Sequence, residues 1–184
     1  MATLYTSLSD RHQEFIKKQK IFFVATADVN GRINLSPKGL DSLRILDGNR
    51  LVWLNLTGSG NETAAHLKAV NRMTIMFCAF EGKPLILRLY GSAKTIHKQD
   101  VEWTDLYAHF PETLGARQIF DMQIDSAQTS CGFAIPLMEY QEDRTILDEW
   151  TENKGLDGIE KYWLEKNQQS IDGKTTNITK SLTL

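Results

Sequence analysis

The chain carries few residues that could staple a fold covalently or through a metal. Cys78 and Cys131 lie far apart and match no metal-ligand spacing, and two such cysteines in an intracellular chain are expected as free thiols. The four histidines, His12, His66, His97 and His109, form no H-x-x-x-H pair or comparable set, so no metal site is expected. No apolar run approaches the ~20 residues needed to cross a bilayer. The N-terminus, with Asp10, Arg11, His12 and Glu14, lacks the charged-then-apolar order of a signal peptide. A soluble, cytoplasmic protein with no membrane partner is therefore expected. Neither sign of charge dominates either: 21 basic and 23 acidic residues give a net charge of -2, which leaves no basic footprint for nucleic acid. There is no internal repeat and no low-complexity segment.

What is present is strand chemistry punctuated by turns. At 184 residues and 41% hydrophobic content, the chain is long enough to bury one core. A short helix over 8–19, with Ser9 as N-cap and Phe15 and Ile16 on its apolar face, precedes three successive hairpins. The first pairs 21–27 with 32–36 across Asp28-Val29-Asn30-Gly31. The second pairs 43–46 with 51–56 across Asp47-Gly48-Asn49, and the third pairs 73–80 with 85–96 across Glu81-Gly82-Lys83-Pro84. Alternating apolar and polar residues bounded by such turns predict antiparallel pairing. Three hairpins suggest a closed or nearly closed barrel, which removes exposed edges. Helices are expected over 61–70 and 98–109, a further strand over 117–124, and helices over 144–152 and 157–167 with Gly155 as the stop between them. Cys78 is expected in the core, and Cys131 as a buried small residue with no local group to activate a thiolate.

The densest chemistry lies in Trp53-Leu54-Asn55-Leu56-Thr57-Gly58-Ser59-Gly60-Asn61-Glu62-Thr63, a strand that breaks through glycines into a helix start. Gly58 and Gly60 permit close backbone approach, and Thr57, Ser59, Asn61 and Thr63 set short donors beside the unpaired N–H groups of a first helical turn, a suitable cradle for phosphate. The same residues also fit a ligand-free S-x-x-E capping box of Ser59 and Glu62. A dinucleotide fingerprint is disfavoured, because Thr63 occupies the place of the third glycine and hairpins flank the motif on both sides. No Gly-Lys-Ser/Thr follows, so it is no P-loop.

Together with Ser36-Pro37-Lys38-Gly39, Asn71-Arg72 and Arg88-Leu89-Tyr90-Gly91, this order of motifs resembles the pyridoxamine 5'-phosphate oxidase-like family of FMN-binding split barrels. The resemblance covers about 19–97. A subgroup of uncharacterised members also shares segments like Gln128-Thr129-Ser130-Cys131-Gly132-Phe133-Ala134-Ile135-Pro136 and 167–173. The resemblance implies an antiparallel split β-barrel over 1–136 with a helical C-terminal extension over 137–184 packed on it. It also implies FMN as cofactor and a homodimer with flavin at the interface. Carried over residue by residue, it places Asn34, Leu35, Ser36 and Lys38 along the flavin, with Lys38 on the phosphate. It adds Asn55, Leu56, Ser59, Gly60 and Asn61 at the strand end and helix start, beside the Thr57 and Thr63 of the loop's phosphate cradle, and Arg88 near the flavin of the dimer.

The chain also departs from the true oxidases. Ile33 stands where they carry an arginine, and Gly60-Asn61 where they carry a basic pair. The tryptophan, arginine and R-L-x-P ending that hold the substrate phosphate have no counterpart in Lys180-Ser181-Leu182-Thr183-Leu184, so pyridoxamine phosphate is expected to be a poor substrate. The expected function is that of a flavin-dependent oxidoreductase of unassigned substrate, with no catalytic residue singled out. The alternative is a protein that holds flavin or another phosphorylated heterocycle without turnover. No histidine sits where it could be argued to ligate haem.

Overall fold

A computed structural model describes residues 2–182; Thr183 and Leu184 of the C-terminal ending lie outside the described residues. The elements in chain order are β1 (Thr3–Tyr5), α1 (Asp10–Lys18), β2 (Phe22–Thr26), β3 (Asn34–Lys38), β4 (Leu43–Asp47), β5 (Arg50–Leu56), α2 (Glu62–Ala69), β6 (Arg72–Cys78), β7 (Ile86–Ile96), α3 (Trp103–Tyr107), β8 (Ala116–Ser130) and α4 (Ile146–Lys166), followed by a 3-10 turn at Ile178–Ser181.

The strands form one sheet in the order β3-β2-β6-β7-β8-β5-β4, with β1 added on β8. Every ladder is antiparallel, so the βαβ reading of the glycine loop is excluded and the fold is the antiparallel split barrel. All three expected hairpins form, as β2–β3, β4–β5 and β6–β7. The inward faces meet in one cluster that includes Val24, Leu51, Trp53, Ile75, Phe77, Leu89, Phe120 and Met122, all at most 2% exposed. Burial on this scale drives the closure of the sheet at roughly 25 cal/mol per Å² of apolar surface.

Helix α1 starts where expected. The Ser9 hydroxyl accepts from the His12 N–H at 3.4 Å and His12 Nδ1 accepts from the Ser9 N–H at 3.3 Å, closing a capping box. In α4, Gly155 adopts φ +64° and ψ 173° and breaks the helix into two arms, as its place between two helical patterns predicts.

Three features differ from the sequence expectation. Helix α3 is five residues long because Asp100 first caps a turn, its carboxylate accepting the His97 N–H at 2.8 Å. Strand β8 runs well past 124, because β7, β5 and β1 all pair with it. Cys131 is exposed, not buried, since it follows the last residue of β8 into the turn at Gly132 (φ +67°), whereas Cys78 is buried as expected. No helix among the described residues is long and apolar enough to cross a membrane.

Candidate functional site

Strand pairing decides which side chains share a wall. On edge strand β3, Asn34, Ser36 and Lys38 are directly opposite Thr26, Val24 and Phe22 of β2. All three partners are buried, so these residues point to the core side of the sheet. Leu35 alternates to the outer face and is 65% exposed.

Across the core side, β5 ends at Leu56 and the chain passes through the glycine loop into α2. Between these two elements lies a cavity of about 450 Å³, within the range of small-molecule sites. Its wall includes Asn34, Ser36, Lys38, Asn55, Leu56, Thr57, Ser59, Gly60, Asn61 and Thr63. Leu35 and Arg88 are not on that wall. Arg88 stands on β7, half-buried, with Nη1 donating to Ser130 Oγ at 3.2 Å.

Arg88 and Leu35 nevertheless share a surface. Cross-strand partners run Pro37, Phe23, Met76, Arg88, Gln128, Leu4 in one row and Leu35, Ala25, Thr74, Tyr90, Ser126 in the next. Both rows therefore lie on the outer face of the sheet. The twelve residues singled out from sequence thus fall into two groups, ten on the cavity wall and Leu35 and Arg88 on the outer face.

Many polar side chains of the wall are bonded to one another. Asn34 Nδ2 donates to Thr26 Oγ1 and Thr63 Oγ1 at 3.2 Å, and Ser36 Oγ donates to Asn34 Oδ1 at 2.7 Å. Thr57 Oγ1 donates to the Gly115 carbonyl and accepts from Trp163 Nε1, both at 3.0 Å. Asn61 exchanges amide hydrogen bonds with Gln118. Asn61 is the N-cap residue of α2 but makes no side-chain cap bond, so the Ser59–Glu62 capping box does not form. The Glu62 carboxylate instead accepts the N–H of Ile171 with both oxygens, at 3.0 and 3.1 Å.

Two cations line the cavity. Lys38 lies with Nζ 5.3 Å from the centroid of the Trp53 ring, a cation–π geometry. Burial, reinforced by the nearby Arg117 guanidinium, brings its pKa down to about 8. Arg117 is 3% exposed, and burial pulls it well below its ordinary value. Among the described residues neither has a carboxylate partner.

Arg117 is satisfied by neutral oxygens instead. Its Nε and Nη2 donate to Asn55 Oδ1 at 3.1 and 2.7 Å, and Nη1 donates to the Gly60 carbonyl at 2.9 Å and to Asn167 Oδ1 at 2.7 Å. A buried charge held only by neutral acceptors leaves the cavity electropositive. The role of Arg117 at the loop was not visible from sequence; the available signal was a charged residue at the start of a strand whose first residues are all buried.

Comparison with known proteins agrees with this architecture. The family model described as pyridoxamine 5'-phosphate oxidase matches residues 8–131. The pyridoxamine 5'-phosphate oxidase family protein ustO of Aspergillus flavus is 34% identical over 198 residues, covering 94% of this chain and 77% of that protein. Among solved structures, a candidate pyridoxamine 5'-phosphate oxidase from Lactobacillus delbrueckii superposes with a TM-score of 0.54 at 20% identity, over 67% of this chain and 94% of that one. HupZ from Group A Streptococcus gives 0.51 at 18% identity, over 64% and 89%; at these identities the two likenesses concern the fold alone. With two-thirds of its length matched by the family model and a curated relative at 34% identity, this chain belongs to the pyridoxamine 5'-phosphate oxidase family.

Proposed function

We propose that the cavity binds FMN, with the phosphate against Lys38 and the glycine loop, and that the protein is a flavin-dependent oxidoreductase acting as a homodimer. The observation that carries this reading is the pair of cations on the cavity wall, half-buried Lys38 and buried Arg117, without a carboxylate partner among the described residues. A phosphate dianion supplies the missing counter-charge. Charge-assisted hydrogen bonds contribute ~1.5–3 kcal/mol each, against ~0.3–1 kcal/mol for a helix terminus alone, so Lys38 dominates the phosphate contact.

When bound, the flavin supplies the electron chemistry. The chain's own residues place it. Trp53, Leu54, Leu56, Pro37 and Leu147 give the cavity apolar wall, suited to a flat aromatic ring system, while the Asn34–Ser36–Thr63 hydrogen bonds fix the edge strand against α2. Arg88 lies on the outer face and bears on a flavin only when a second copy brings its outer face to the site.

Titration with FMN and riboflavin tests the reading. FMN is expected to bind at least about tenfold more tightly, one charge-assisted contact converted to affinity. Equal affinities overturn the phosphate assignment. Rapid reduction of the bound flavin by NADH or NADPH, beyond the rate for free FMN, is expected of an oxidoreductase. Its absence with both donors favours a flavin carrier.

A further inference from the structure

The glycine loop is gripped by Arg117 and by a part of the chain, around Asn167, that lies beyond residues 8–131 of the family match. Asn167 Nδ2 donates to the carbonyls of Gly58 and Ser59 at 3.1 and 3.4 Å, and Arg117 Nη1 donates to those of Gly60 and Gly58 at 2.9 and 3.4 Å. Asn167 Oδ1 accepts from Arg117 at 2.7 Å, and Asn167 is fully buried, so amide and guanidinium act as one rigid polar block. Three consecutive carbonyls are held toward it.

The described chain contains no cis peptide, and in a planar trans peptide the C=O and the following N–H point in opposite directions. Holding the carbonyls of Gly58, Ser59 and Gly60 therefore turns the N–H groups of Ser59, Gly60 and Asn61 away from Arg117 and Asn167. None of these three N–H groups has an acceptor among the described residues. These three N–H groups are left as free donors at the start of α2, where an anion is favoured.

The same segment acts on the site at two further points. Ile171 ties down the Glu62 carboxylate, the one acidic group of the loop that would compete with an anion at the start of α2. Beyond it, Asp172 pairs with Arg32 and Lys174 lies 3.6 Å from Asp28, both on the turn that leads into β3. One strand of chain thus fastens the glycine loop and the strand that carries Lys38.

We propose that residues 163–176 are a latch that sets the phosphate selectivity of the cavity, with Asn167 as its positioning residue. The proposal rests on the reading of the cavity as a phosphate site. Because a phosphate ester favours the aligned loop, binding and latch closure are linked, and each strengthens the other.

The test uses the full chain. Asn167→Asp keeps the side-chain volume and an acceptor for Arg117, but removes the donor to Gly58 and Ser59 and places a carboxylate against the guanidinium. Asn167→Ala removes both halves of the contact. Each variant is expected to bind FMN about 10–100-fold more weakly while changing riboflavin affinity by less than about threefold, so the preference for the phosphate collapses. A general loosening of the fold would weaken both ligands alike.

Hydrogen exchange on the unmodified protein supplies a readout that needs no variant. Amides of 163–176 are expected to slow on adding FMN and not on adding riboflavin. Retention of the wild-type FMN-to-riboflavin ratio in both variants overturns the latch, as does exchange in 163–176 that ignores FMN. A wild-type protein with no FMN preference is a different result, and overturns the phosphate site itself.

Discussion

Lys38 holds its charge where the surroundings oppose it, and that opposition is a measurable property of the ligand-free protein. Its pKa falls from 10.5 to about 8 through burial first and the Arg117 charge second. Between those values the unfolded chain binds more protons than the folded one, so stability rises with pH across that window, and the full penalty is present below about 8. Lys38→Met fills similar space without the charge. It is expected to stabilise the ligand-free protein at pH 7 by on the order of 1–3 kcal/mol, at 1.36 kcal/mol per pKa unit reduced for partial exposure, and the gain should vanish toward pH 10.5. The same variant should weaken FMN by about 10–100-fold, whereas Ser59→Ala, an exposed hydroxyl beside backbone donors, should cost less than about threefold. Melting curves at pH 7 and pH 10, with parallel FMN titrations, check both halves. A variant less stable than wild type at pH 7 contradicts the picture of an uncompensated, half-buried charge. For wild type, FMN affinity should also fall as pH rises through about 8, where the free protein loses the Lys38 proton.

At the scale of elements, the long β7–β8 ladder carries a register shift between Tyr90 and Gly91. A Cβ on Gly91 would collide with the carbonyl oxygen of Gln123, and both partners are backbone inside a ladder. Gly91→Ala is expected to cost about 3 kcal/mol, at the upper end for overpacking. Gly82→Ala, at φ +67° in the open β6–β7 turn, should cost only about 1 kcal/mol for its left-handed backbone. Urea denaturation of the two variants separates close approach from backbone preference; similar losses would refute the distinction. The hairpins themselves were legible in sequence because their signals are local: alternation on each arm and Asp-Gly-Asn or Asp-Val-Asn-Gly between them. Strand β1 was not, since three exposed residues form a strand only by finding Gln128 and its neighbours far along the chain. The site divides in the same way. The glycine loop announces itself by residue type and Lys38 only through the family resemblance, while the grip on the loop spans 57 positions from Gly60 to Arg117 and 109 from Gly58 to Asn167. Arg117 stands in no recognisable motif, and the 167–173 segment shared with the subgroup does not show from sequence what Asn167 touches.

For the whole molecule, the outer face of the sheet poses the question of what covers it. Leu35 and Leu4 are each 65% exposed, and Phe23, Ala25 and Met76 lie in the rows between them. An apolar face that ends in an exposed edge strand invites a self-complementary partner about a twofold axis. If the flavin bridges the two copies, with Lys38 from one and Arg88 from the other, it binds only the associated state, and FMN must tighten the dimer by mass action. Sedimentation velocity over a dilution series should therefore show a dimer whose dissociation moves to lower protein concentration when FMN is added. Leu35→Asp places a charge at the β3 end of these rows without touching the core, because that side chain points away from it. It is expected to yield a folded monomer with FMN affinity reduced by at least about tenfold, the loss of one charge-assisted contact, although Leu35 lies outside the cavity wall. A monomeric variant that still binds one FMN per chain at wild-type affinity would show that the site is complete within one chain, and would remove Arg88 from the flavin environment.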